Sequence, residues 1–188
     1  QIKENNKSVD YQIENNEIVI STKADTPRKY SYSINIDGVV THCNILVLPC
    51  LYELAKNRCH FIAENQQYNN PKSKLDGAYL IYDNEEKHIY YNREYDFNGG
   101  RERVGMGVLI AKYLQNHDDE VLLNSLKKYI KYVQKNLVCI ETGEVFNDCN
   151  YDNSFTRLYN YPWFSLFYIE LYKLFRDKNM LEIAYKIM

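Results

Sequence analysis

The chain has 188 residues, enough for one domain of ordinary size with a sizeable core. Hydrophobic residues make up 45% and charged residues 26%, a globular composition, and a formal net charge of −2 gives no electrostatic case for nucleic acid or an anionic membrane as partner. No apolar run nears the ~20 residues that span a bilayer; the longest patches, Ile45–Leu51 and Trp163–Leu174, are short or interrupted by polar residues.

Residues 1–10, QIKENNKSVD, read as a flexible polar lead. No signal peptide is visible, and a lead starting at Gln1 is compatible with one removed by processing. A periplasmic or extracellular location is the expectation, with the cytoplasm left open. Tyr11–Glu14 and Glu17–Thr22, split by Asn15-Asn16, read as strand, turn and strand. Arg28–Ile36 alternates, with Tyr30, Tyr32, Ile34 and Ile36 on one face and Asp37-Gly38 as the closing turn. Residues 1–43 are therefore expected to form a short β portion.

The character changes at Asn44. Leu48, Leu51, Tyr52, Leu54, Ala55, Cys59 and Ile62 recur at helical spacing, with Pro49 tolerated in a first turn, and the helix ends before Asn69-Asn70-Pro71. Two extended runs, Ala78–Tyr82 and His88–Tyr91, flank Asp83-Asn84 as a hairpin. Helical patterns then follow at Val104–Leu114 and Asp118–Leu137, the latter with Asp118 and Asp119 placed to cap its start. Lys127, Lys128, Lys131 and Lys135 fall in its later half. Gly105 and Gly107 inside the first of these helices read as close helix packing, not as a phosphate loop. Residues 139–152 form a loop, Pro162 opens a helix over Trp163–Phe175, and a last helix from Asn179 stops at Met188 in mid-pattern, so the chain is expected to be cut there. The 44–188 region thus alternates helices with long polar loops at one end and short turns at the other, an α-hairpin array, and the expected fold class is mainly α.

Five cysteines, Cys43, Cys50, Cys59, Cys139 and Cys149, show no CxxC spacing, and the odd count argues against a complete disulfide framework. Small buried hydrophobes are the favoured reading, with a Cys139–Cys149 pair open in an exported protein. His42, His60, His88 and His117 share no metal-binding spacing, and no GxSxG, GxGxxG or Walker-type loop occurs, so neither a metal nor a cofactor is expected.

The chemistry concentrates in LDGAYLIYDNEEKHIYYNREYDFNGGRERVGM, residues 75–106. Acidic groups beside aromatic rings suit sugars: C–H faces stack on rings and hydroxyls bond to carboxylates. The chain carries 19 Tyr against 7 Phe; compositional bias would raise both, so part of the Tyr excess is assigned to amphipathic contacts. Asp76, Asp83, Asp96 and Glu102 are the acid/base candidates, because glycoside cleavage by hydrolysis uses two carboxyls. The competing reading makes Asp76-Gly77 and Asp83-Asn84 plain turns and Glu102 a helix-dipole partner. Arg103 can hold a uronate carboxylate in its planar fork, or pair with a neighbouring acid. Tyr79, Tyr95, Tyr159, Tyr161 and Trp163 are stacking candidates, with a core role the favoured alternative for Trp163.

RERVGMGVLIAKYLQ, residues 101–115, and RLYNYPWFSLFYIELYKLFRDKNMLEIAYKI, residues 157–187, together with FIAENQQY followed by LDGAYLIYD, resemble the six-hairpin (α/α)6-toroid glycosidases and their uronic-acid-processing relatives. The resemblance covers about residues 45–188. It implies a partial toroid, saccharide bound in its funnel, and a glycoside hydrolase acting on oligosaccharides, with uronate-containing chains included. The alternative is a non-catalytic saccharide-binding or protein-interaction helical domain. The sequence leaves the oligomeric state open.

Overall fold

The structure, a computed structural model, describes residues 1–21, 26–90, 99–154 and 160–188. It divides into two units, Gln1–Leu54 and Ala55–Met188; the expected boundary at 43/44 would instead cut a strand.

In the first unit, β1 (Ile2–Glu4), β2 (Lys7–Ser8), β5 (Arg28–Ile36) and β6 (Val39–Val47) form an antiparallel sheet in the order β2-β1-β5-β6, and β3 (Gln12–Glu14) pairs with β4 (Glu17–Val19). Three two-residue turns set these registers: Asn5-Asn6, Asn15-Asn16 and Asp37-Gly38, all at positive φ. That geometry matches the twist of hairpin strands, and Asn, Asp and Gly adopt it at least cost. Within residues 1–10, expected as a flexible lead, Ile2–Glu4 and Lys7–Ser8 are therefore paired strands. Ile2, Tyr30 and Tyr32 form a small buried cluster, whereas Ile36 is exposed.

The expectation of a mainly α protein is corrected by this sheet: the chain is mixed α/β, with five α-helices and several antiparallel sheets among the described residues. Two misreadings produced the error. The lead carries its own Asn-Asn hairpin, and the run from Val39 to Val47 is β6, although Asn44 was expected to open the helical region. β-branched residues at Val39, Val40, Thr41, Ile45 and Val47 favour extended backbone.

In the second unit, α1 (Leu51–Phe61, begun before the division) continues through a π turn at Ile62–Gln66, and the small hairpin β7 (Tyr82–Asp83) and β8 (His88–Ile89) follows. A 3-10 turn at Arg101–Arg103 leads into α2 (Val104–Leu114), then α3 (Glu120–Asn136), α4 (Tyr161–Phe175) and α5 (Lys178–Ile187). α3 starts where the Asp119 carboxylate accepts the Leu122 amide at 3.0 Å. Its buried stripe is Leu122, Leu126, Tyr129, Ile130 and Val133. α4 has Pro162 in its first turn and ends at Arg176 in left-handed conformation; α5 restarts at once, with Asp177 capping the Asn179 amide.

α2 packs on both α3 and α4, and α4 on α5. Their shared core is rich in tyrosine. Tyr79 stacks on Tyr129 with ring centroids 4.3 Å apart, and Tyr129 meets Phe167 edge-on at 5.8 Å. Gly107 makes this possible: a Cβ there would lie 2.6 Å from Tyr129 Cε1 and 2.8 Å from Phe167 Cε2. Part of the tyrosine excess is thus core material.

Candidate functional site

Residues 99–101, just ahead of α2, are tied to two other parts of the unit: the Arg101 amide donates to Asn147 O at 3.1 Å and the Tyr132 hydroxyl of α3 donates to Gly99 O. Gly99 has a φ of +85°, and a Cβ on it would meet Leu75 Cδ2 at 2.8 Å, so this turn needs glycine on two grounds. The turn aims Arg101 inward, 1% exposed, and leaves Glu102 and Arg103 half-buried on the same 3-10 turn. Burial pushes the Tyr129 phenol far up, the Tyr79 and Tyr168 phenols add to this, and the Arg103 charge partly offsets it. Tyr129 is therefore neutral at physiological pH and serves as core beside the turn.

The other sequence candidates divide clearly. Tyr79 is fully buried, and its hydroxyl shares a 2.9 Å hydrogen bond with Ser125, so its ring has no free face for a sugar. Asp83 accepts the amides of Glu85 at 2.8 Å and Glu86 at 3.0 Å. The Glu86 bond, then the Glu85 bond, hold its carboxyl below the usual range, so it is a turn-forming carboxylate and a poor proton donor. Asp76 is exposed in a turn ahead of Gly77. Tyr161 and Trp163 share the first turn of α4; Trp163, favoured above as core, is 47% exposed. Asp96, Tyr95 and Tyr159 lie outside the described residues.

Several buried polar groups escaped sequence reasoning. Asn147 and Asn160 are buried, and their side-chain amides have no hydrogen-bond partner among the described residues. Buried amides left in this state are costly and cluster where a protein does something other than fold. A lone Asn in a polar loop carries no sequence signal of this. Gln67 is better satisfied, donating to Gly77 O and Ser125 O at 3.2 and 2.9 Å.

That bond helps press the loop 69–77 onto α3. Gly77, at φ +87°, sits so close that a Cβ would lie 2.7 Å from Lys128 O. The loop and helix enclose a pocket of about 370 Å³ lined by Lys74, Lys128, Lys131 and Lys135 with Asp76, Tyr132 and Asn136. The five cysteines are free: Cys59 and Cys149 are buried, but Cys43 and Cys50 are exposed, against the reading of all five as core. Among the described residues no cluster of three or more His, Cys, Asp or Glu is arranged to hold a metal, and no helix is long and apolar enough to cross a membrane.

No protein-family model and no curated protein matches the chain. Among solved structures, it is similar to a polysaccharide lyase, with a TM-score of 0.85 and 31% sequence identity over 99% of this chain. The match covers 28% of the lyase chain, so this chain spans under a third of that protein. The neighbour is a carbohydrate-active enzyme, and the expected likeness to part of a six-hairpin toroid is not confirmed by it.

Proposed function

We propose that the chain forms part of a protein that cleaves an acidic polysaccharide by elimination. The observation that supports this reading is the 31% identity to a polysaccharide lyase, sustained over 99% of the chain. Elimination needs a sugar carboxylate held and partly neutralised, so that a base can take the proton on the adjacent carbon. The C–O bond one carbon further then breaks, a C=C bond forms, and the leaving oxygen takes a proton. In this reading the Arg103 fork holds the carboxylate, Glu102 on the same turn exchanges protons, and exposed Trp163 with Tyr161 offers a stacking surface. Asp83, one of the carboxylates the sequence offers for hydrolysis, is spent on its turn. The hydrolytic alternative joins Glu102 to Asp96.

One assay separates these readings. The protein is incubated with uronate polysaccharides while ultraviolet absorbance from a new C=C bond and reducing ends are followed in parallel. Both signals rising together support elimination; reducing ends alone support hydrolysis. Saccharide binding with neither signal favours a non-catalytic domain, and absence of binding at millimolar saccharide overturns the carbohydrate reading.

A further inference from the structure

We propose that the pocket between the loop 69–77 and α3 is a subsite for an oxyanion of an acidic saccharide, a uronate carboxylate or a sulfate ester. This rests on the carbohydrate reading above and adds a recognition element to it. Four lysines line the pocket against one carboxylate, Asp76. Three come from α3 at spacings of three and four residues, which puts Lys128, Lys131 and Lys135 on one helix face over about 10 Å. The fourth, Lys74, comes from the loop across the pocket. Lysines late in a helix ordinarily complement its dipole and point to solvent. Here they face a concavity, and no ion pair neutralises Lys131 or Lys135 among the described residues.

The frame around them is fixed before any ligand arrives. Gly77 seats the loop on the α3 backbone, buried Gln67 ties Gly77 O to Ser125 O, and Lys128 Nζ donates to Asn69 Oδ1 at 2.8 Å. The floor includes Tyr132, whose hydroxyl holds Gly99 two residues before Arg101, and so the pocket adjoins the turn that carries Glu102 and Arg103. A volume of about 370 Å³ lies in the range of small-ligand clefts. Clustered ammonium groups in a concave site raise the local concentration of anions. The overall net charge of −2 makes this local concentration of positive charge a property of the site, not of the surface at large.

The test measures affinity of the protein for a neutral glucan, an unsulfated uronate polysaccharide, a sulfated glycosaminoglycan with its desulfated counterpart, and duplex DNA, each across a salt series. Expected are binding to the acidic saccharides over the glucan, a salt-dependent affinity, and a loss of about tenfold in Lys131→Ala/Lys135→Ala. Lys112→Ala/Lys127→Ala, outside the pocket, is the matched control and stays within about twofold. The sulfated and desulfated chains decide which oxyanion is preferred. Unchanged acidic-saccharide binding in the pocket variant overturns the subsite and leaves the carbohydrate reading intact. DNA bound as tightly as the saccharides, through the same lysines, overturns it as a saccharide subsite. If wild-type protein binds no saccharide at all, the underlying function fails first.

Discussion

Two glycines of α2 separate packing from propensity. Gly107 and Gly105 lie two residues apart on the same helix, so both gain helix propensity on replacement by alanine, by about 1 kcal/mol. Their surroundings are opposite. A Cβ at Gly105 meets nothing within 4 Å, whereas one at Gly107 meets Tyr129 Cε1 at 2.6 Å and both Tyr129 Cδ1 and Phe167 Cε2 at 2.8 Å. Neither ring can yield easily. Tyr129 and Phe167 are fully buried, and Tyr129 is held on its other side by the stack with Tyr79. Overpacking of this kind costs roughly 1–3 kcal/mol, and three contacts on two locked rings place Gly107→Ala in the upper half of that range. The net expectation is a destabilisation of about 1–2 kcal/mol for Gly107→Ala and a stabilisation of roughly 0.5–1 kcal/mol for Gly105→Ala. At about 2–4 °C per kcal/mol for a chain of this size, the two melting points should differ by roughly 3–12 °C. Urea titration followed by far-ultraviolet circular dichroism, with the slope checked for constancy, measures both. If Gly107→Ala were neutral, or as stabilising as Gly105→Ala, the packing of α2 on Tyr129 and Phe167 described above would be wrong.

Gly77→Ala combines a φ of +87° with a 2.7 Å clash against Lys128 O, and should cost about 1–3 kcal/mol; thermal denaturation checks this, and a melting point within 1 °C of wild type refutes the seating of the loop. Tyr79→Phe strips the buried Ser125 hydroxyl of its partner and should cost about 1–2 kcal/mol. The double variant with Ser125→Ala should cost less than the sum of the singles, and strict additivity in urea titrations would show that the bond contributes nothing. Burial raises the Glu170 carboxyl, but the Gln115 bond at 2.7 Å and the Lys173 bond and charge outweigh it, so its pKa lies below the ordinary 4.5. A lowered folded-state pKa contributes stability above 4.5 that is lost as pH falls through the folded value. Glu170→Gln should therefore flatten the fall in melting point below pH 4.5, and an unchanged profile would count against the pair.

The sequence made some of this legible through short-range signals. Asn15-Asn16 and Asp37-Gly38 were readable as turns because only a few residue types tolerate positive φ, and the same signal stood unused at Asn5-Asn6. The helices α2 to α5 follow from periodic apolar residues, with Asp119 and Pro162 at two of the starts; the last was placed from Asn179, one residue inside α5, whose cap is Asp177. Gly107 was correctly read as a packing glycine, while its neighbour Gly105 was not distinguishable from it by spacing. The turn before α2 was legible as a break: Gly99-Gly100 lead into the 3-10 turn Arg101–Arg103 that opens the helix.

By itself, then, the sequence determined where the chain turns, where it winds into helix, and which segments gather polar chemistry, since these depend on neighbours within a few residues. Tertiary structure alone decided which tyrosines are core and which aromatics are surface. Tyr79 is buried because α3 supplies Tyr129 and Ser125 against it, whereas Trp163, in the first turn of α4, is 47% exposed. It also turned a run of ordinary helix lysines into a pocket, by laying a loop some fifty residues earlier in the chain across them through Gly77. Burial and charge clustering are properties of what meets across a packed interface, and no local pattern in the chain records that meeting.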